Sequence, residues 1–95
     1  MLESAATVPT AHAAKYIAQL CKHWSHKLAV EQEGDTGTVR FPTSTATMRA
    51  EGEALSVTIQ AEDAETLERM QGVLATHLDR FAFREAPLPF DWQRR

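Results

Sequence analysis

The sequence has a single cysteine and no long run of apolar residues. Because Cys21 has no second cysteine to pair with, an internal disulfide and a zinc site built from several cysteines are both excluded. No apolar stretch approaches the roughly 20 residues that a membrane-spanning helix needs. The N-terminus carries Glu3 and no basic region ahead of an apolar stretch, unlike a secretory signal. We therefore expect a cytoplasmic protein that does not associate with membranes.

Positive charge is also scarce. The chain has 10 Lys and Arg against 13 Asp and Glu, which gives a formal net charge of −3. Proteins that bind nucleic acids usually present a dense basic face, so we expect no nucleic-acid partner. The basic pair Arg94 and Arg95 is typical of a solvated terminus. Neither a glycine-rich phosphate loop nor a paired-carboxylate motif is present, so two common signs of an enzyme are missing.

The composition that remains is that of an ordinary soluble globular domain. The chain has 95 residues, of which 43% are hydrophobic and 24% are charged. This length predicts a single domain over residues 1–95. Residues 1–8 are predicted to form an N-terminal strand, because the residue before Pro9 favours extended backbone.

A first helix is predicted over residues 10–26, with Thr10 as its N-cap. Its apolar side chains recur at spacings of three and four residues, which places them on one narrow stripe at about 100° per residue. The opposite side of the helix carries lysine, glutamine and histidine side chains. The apolar stripe consists of Ala13, Ile17, Leu20, Cys21, Trp24 and Leu28.

Residues 28–61 change to the alternating pattern of β-strands. Four strands with short links are expected here, and they must be mostly antiparallel because parallel neighbours need a long crossover. Gly34 and Gly37 are assigned to the first turn, and Pro42 ends the second strand. The side chains predicted to face inward include Val39, Phe41, Ala46, Met48, Ala50, Leu55, Val57 and Ile59.

A second helix is predicted over residues 63–82, with Asp63 as its N-cap. Gly72 lies inside this helix, where we expect it to allow close packing on a neighbour. Residues 83–95 are predicted to form a tail that starts extended and docks on the domain, because two exposed aromatic rings would be costly. The apolar stripe of the helix consists of Leu67, Met70, Leu74, Leu78 and Phe81, with His77 among them.

The predicted fold class is α+β, with the order β-α-β-β-β-β-α. The simplest way to bury both stripes is a curved antiparallel sheet with the two helices packed on one face. The other face of the sheet is then polar, and it can stay in contact with water or pair with a second copy of the chain. A homodimer formed through the sheet is therefore one expected partnership.

Two histidine-containing motifs resemble those of a known family. Residues 20–27 are similar to an LCKHxxHK element, and residues 77–85 to an HLxRFAFRE element, of the bacterial domain of unknown function 2218. Residues 39–42, VRFP, resemble that family's short strand before a turn. The family usually has a glycine after this strand, where Thr43-Ser44-Thr45 stands here. The resemblance covers nearly the whole chain.

The resemblance implies little about activity, because members are small bacterial proteins without an assigned one. Some members occur beside, or fused to, siderophore and iron-uptake proteins. The resemblance therefore implies a small accessory or binding module with a link to iron or siderophore metabolism. An iron-uptake or siderophore protein is the partner that this context suggests.

The histidines suggest a metal site. His23 and His26 are three residues apart on one helix, a spacing compatible with joint ligation. Cys21 points about 160° away from His23 and cannot share its ion. His77 lies on the apolar face of the second helix, and both helices are expected on the same face of the sheet. We therefore predict that His23 and His77 form a two-histidine site for iron or zinc, with His26 as a further candidate ligand.

Three other interpretations stay open. His77 is also explained as a hydrogen-bonded core residue, which would leave a structural protein-interaction domain. A cysteine- or histidine-dependent enzyme would need an exposed, activated thiol, whereas Cys21 lies on an apolar stripe where a thiol behaves as a small hydrophobe. Aromatic side chains of the helix and tail either pack in the core or line a ligand groove: Tyr16, Trp24, Phe90 and Trp92.

Overall fold

A computed structural model describes residues 1–95 as a six-stranded antiparallel sheet with two helices. Both helices contact the sheet and each other on the same face, which confirms the predicted α+β class. The strand order is β2-β3-β4-β5-β1-β6. The elements, in chain order, are β1 (Leu2–Pro9), α1 (Ala13–Trp24), β2 (Ala29–Glu33), β3 (Thr36–Phe41), β4 (Ser44–Glu51), β5 (Ala54–Ala61), α2 (Ala64–Phe81) and β6 (Gln93–Arg94).

The N-terminal strand β1 lies inside the sheet. It pairs with β5 over its whole length, from Leu2 opposite Ala61 to Pro9 opposite Ala54. Its inner face carries the buried hydroxyl of Ser4, whose Oγ accepts a 2.7 Å hydrogen bond from the Gln71 side chain of α2. This bond satisfies a polar group that would otherwise be costly to bury.

The core lies between the sheet and the two helices. Alternate side chains of the strands point toward the helices, as the alternating pattern predicts. Each fully buried leucine or isoleucine contributes about 1.5–3 kcal/mol by leaving water. The largest fully buried side chains are Val8, Ile17, Leu20, Val39, Met48, Leu55, Val57, Ile59, Leu67, Leu74 and Leu78.

The start of α1 differs from the prediction. The helix begins at Ala13, and His12 occupies the cap position without a side-chain cap bond. Thr10 is therefore not the N-cap; its Oγ1 instead accepts a 3.1 Å hydrogen bond from the His12 amide in the preceding turn.

The cap of α2 is as predicted, because Asp63 Oδ1 accepts a 2.7 Å bond from the Thr66 amide. That bond lowers the pKa of the Asp63 carboxyl. Neither helix is long and apolar enough to cross a membrane.

The roles expected of two glycines are reversed. Gly37 is not a turn residue: it lies within β3 and is buried. A Cβ atom added there would lie 2.7 Å from Cys21 Sγ and 2.8 Å from Ile17 Cγ2, so the strand meets α1 directly at this point. Gly72 does not allow close packing, because a Cβ atom added to it would meet no atom within 4 Å.

The C-terminal segment adds a strand that the alternation did not predict. After α2 the chain turns rather than extending, and Leu88 enters the core with 6% of its surface exposed. The Leu88 amide donates a 2.9 Å hydrogen bond to Asp79 Oδ1. The rings of Phe90 and Trp92 then stack with centres 5.3 Å apart. Strand β6 finally pairs with the free edge of β1 and completes the sheet.

The contact at Gly37 leads to a stability prediction. Gly37→Ala should lower the free energy of unfolding by about 1–3 kcal/mol, because the new methyl group overpacks a filled core. Adding Cys21→Ala should restore part of that loss, since it removes the sulfur nearest to the new methyl group. Urea denaturation measures both effects.

Gly72→Ala is the matched control. The same substitution in open space within a helix should raise the free energy of unfolding by about 0.5–1 kcal/mol. Equal effects of the two substitutions would contradict the close contact between β3 and α1.

Candidate functional site

His23 and His77 lie side by side where α1 meets α2. Their ring centres are 5.5 Å apart and the ring planes are tilted by 50°. His23 belongs to the last turn of α1, and His77 lies one turn before the end of α2. The structure therefore brings together the two histidines that the sequence pattern paired.

The spacing of the two rings is compatible with a shared metal ion. Two imidazoles bound to one tetrahedral ion through nitrogen–metal bonds of about 2.0–2.1 Å have ring centres about 5 Å apart. The separation of 5.5 Å is close to that value.

His77 is held in an orientation that leaves one ring nitrogen available. Its Nδ1 lies 2.7 Å from the backbone carbonyl oxygen of Val73, one turn earlier in α2. Because a carbonyl oxygen only accepts hydrogen bonds, Nδ1 carries the proton and donates it. The other nitrogen, Nε2, is then unprotonated in the neutral ring. Histidines that bind metals are commonly oriented by such a bond to a carbonyl group.

Aromatic rings surround the histidine pair on the side of the core. The centre of the Trp24 ring lies 4.9 Å from the centre of the His77 ring. Trp24 also packs edge-on against Phe41, with ring centres 5.0 Å apart. Phe81 contacts His23 edge-on at 5.9 Å. These contacts restrict the rotation of both imidazoles and give them an apolar wall.

A shallow pocket of about 380 Å³ opens beside His23. Gln19 and His26 line it, together with Lys22 and Phe81. The side-chain oxygen Oε1 of Gln19 is buried and has no hydrogen-bond partner. Gln19 lies one helical turn before His23 in α1. No group of three or more His, Cys, Asp or Glu side chains is placed to hold a metal ion. An ion on the two histidines would therefore need a further ligand such as this amide oxygen.

Cys21 is separated from the histidines. It is a free thiol with 2% of its surface exposed, and it packs toward Gly37 in the core. Burial raises the pKa of the thiol, so the neutral form is favoured. A cysteine nucleophile needs the opposite shift and an exposed position. The predicted role of Cys21 as a small buried hydrophobe agrees with this setting.

A second polar cluster, which the sequence patterns did not indicate, joins the start of α1 to the turn after α2. Glu85 Oε2 accepts a 2.9 Å hydrogen bond from Thr10 Oγ1 and a further bond from the hydroxyl of the buried Tyr16. The bonds from Tyr16 and then Thr10 lower the pKa of Glu85. Burial, followed by the Glu85 hydrogen bond, raises the pKa of Tyr16. Residues so distant in the chain share no spacing that would have indicated the contact.

The Glu85 cluster leads to a prediction about pH. The fold lowers the pKa of Glu85, so the ionised carboxylate stabilises the folded state above the ordinary pKa of 4.5. This contribution is lost as the pH falls through the lower pKa of the folded state. The stability difference between the native chain and Glu85→Gln should therefore be larger at pH 7 than at pH 3, as measured by urea denaturation.

Glu68 provides the control for this measurement, because it is an exposed glutamate on α2 without a hydrogen-bond partner in the fold. Glu68→Gln should change the stability by a similar small amount at both pH values. If the effect of Glu85→Gln were also the same at both, the cluster would not stabilise the ionised carboxylate.

No curated protein matches this chain. It is similar to PA4090 from Pseudomonas aeruginosa, whose NMR structure superposes with a TM-score of 0.85 at 35% sequence identity. That match covers 98% of this chain and 96% of PA4090. A family model described as "Uncharacterized protein conserved in bacteria (DUF2218)" matches residues 5–93, a range that includes both histidine motifs. The chain therefore belongs to this bacterial family, DUF2218.

Proposed function

We propose that this protein is a small binding module that holds an iron or zinc ion between His23 and His77. The observation that supports the proposal best is the 5.5 Å separation of the two rings at the contact between the helices. The hydrogen bond from His77 to Val73 adds to it, since this bond leaves Nε2 free to bind a metal. Neutral imidazole is a favourable ligand for both metals.

The remaining coordination positions would be filled partly from outside the protein. Gln19 and His26 both line the pocket beside His23, and the buried Gln19 oxygen has no hydrogen-bond partner. A metal that arrives on a small chelator brings oxygen ligands of its own, so a two-histidine site suits it. In this form the proposal accommodates a role in iron or siderophore metabolism, with a siderophore or iron-uptake protein as the partner.

A structural role is the second candidate, and the aromatic contacts favour it. Trp24 packs against both His77 and Phe41, so the histidine ring is also part of the packing between the helices and strand β3. In this alternative the protein is an interaction domain, and His77 only packs and donates its hydrogen bond to Val73.

Metal titration separates the two candidates. Adding iron(II) or zinc at 100 times its dissociation constant should stabilise the native protein by about 2.7 kcal/mol and raise its melting temperature. His23→Ala and His77→Ala should each weaken binding at least tenfold, because each removes one imidazole of the proposed pair. Calorimetric titration gives the affinities.

Thr76→Ala, an exposed position next to His77 on α2, is the matched control and should keep the native affinity. A melting temperature of the native protein that does not respond to either metal would leave the structural role as the better explanation.

We also propose that two copies pair through the polar face of the sheet. Neither helix covers this face, and a row of threonines crosses its centre, with Thr47 paired to Thr38 on one side and to Thr58 on the other. The short threonine side chains allow two such faces to approach each other at the centre, and the exposed ion pairs Arg40–Glu31 and Arg49–Glu51 lie on the same face. Light scattering coupled to size-exclusion chromatography should then give the mass of a dimer.

Thr47→Arg places a long charged side chain in the middle of this face and should yield a monomer with unchanged circular dichroism. Glu68→Arg, on the exposed side of α2, should stay dimeric. A native protein that elutes as a monomer at high concentration would refute the dimer.

A further inference from the structure

A pocket of about 330 Å³ lies at the N-terminal end of α1, against the turn that follows α2. Tyr16 and Glu85 form part of its wall, where their hydrogen bond joins the two segments. The pocket lies at the opposite end of α1 from His23. Binding of a ligand there does not require a metal ion on the two histidines. Its volume is sufficient for a small organic ligand.

Basic side chains without ion-pair partners line this pocket. They are Lys15 and Arg84, with His12 beside them. The ion pairs of the protein use other arginines, namely Arg40, Arg49 and Arg95. The one carboxylate of the pocket, Glu85, is already bonded to the hydroxyls of Thr10 and Tyr16. Those hydroxyl bonds leave the negative charge of Glu85 in place, and Glu85 forms no ion pair with Lys15 or Arg84. The two cations therefore exceed the one carboxylate by a single positive charge, in a chain whose formal charge is −3.

The pocket also carries an exposed aromatic ring. Phe83 has 72% of its surface exposed, and the only other large hydrophobic residue so exposed is Met1 at the N-terminus. The guanidinium carbon of Arg84 lies 5.8 Å from the centre of the Phe83 ring. Phe81, which is half-buried, lines the same pocket. Aromatic surface and free positive charge thus stand together at one opening.

We infer that this pocket binds a small aromatic carboxylate. The guanidinium of Arg84 matches a carboxylate with two parallel hydrogen bonds, and the ammonium of Lys15 adds charge. The ring of the ligand covers Phe83 and removes its apolar surface from water. A simple anion would leave Phe83 exposed, and a neutral aromatic compound would leave both cations unpaired. The ligand must therefore carry both groups.

Titration of the full native chain with 1-naphthoate, followed by ¹H–¹⁵N NMR, tests the inference. The compound should bind with a Kd of about 1 mM or tighter, the range expected for a ligand of this size. The backbone signals that shift should belong to residues 12–16 and 81–85. Lys15→Ala, Arg84→Ala and Phe83→Ala should each raise Kd at least fivefold, while Arg80→Ala, an exposed arginine outside the pocket, should not change it.

Two further probes identify which part of the ligand is recognised. 1-Naphthamide keeps the rings without the charge, and inorganic phosphate keeps a charge without the rings. Both should bind at least tenfold more weakly than 1-naphthoate. Equal binding of the amide would overturn the role of the cations, and equal binding of phosphate would overturn the role of Phe83. Failure of 1-naphthoate to bind would overturn the inference as a whole.

Discussion

At Gly37 the backbone of β3 comes so close to α1 that an added Cβ atom would lie 2.7 Å from Cys21 Sγ and 2.8 Å from Ile17 Cγ2. A glycine without a side chain allows the helix to settle directly on the strand, and interiors packed at crystalline density do not tolerate an extra methyl group there. This contact determines how far α1 lies from the sheet and how the helix is rotated about its own axis. With Cys21 directed into the sheet, His23 is directed toward α2, where it meets His77.

The packing of α1 against α2 places different groups of side chains at the two ends of α1. Its C-terminal end holds the histidine pair against Trp24, and its N-terminal end supports the pocket with Lys15. Phe81, the last residue of α2, borders both regions: its ring packs against His23 and also lines the basic pocket. A displacement of this helix pair would therefore alter both sites together.

The strands and helices of this fold follow from local patterns, because alternation and helical spacing record which side chains are buried. The same reasoning placed His23 and His77 on facing helix edges, and the structure has them in contact. The sequence does not reveal the role of Gly37, since a glycine in a turn and a glycine under a helix look alike there. The Tyr16–Glu85 bond joins residues 69 positions apart, and no short-range pattern contains it. Likewise, only the folded structure shows that the side-chain oxygen of Gln19 is buried without a hydrogen-bond partner.

The most direct test of the central proposal observes the histidine ring nitrogens themselves. Long-range ¹H–¹⁵N NMR of the native protein should show His77 protonated at Nδ1, in agreement with its hydrogen bond to Val73. One equivalent of zinc should then shift the Nε2 signal of His77 and one ring nitrogen of His23 together, with a single binding curve. Ring signals of His23 and His77 that stay unchanged, or that titrate independently, would contradict a shared ion.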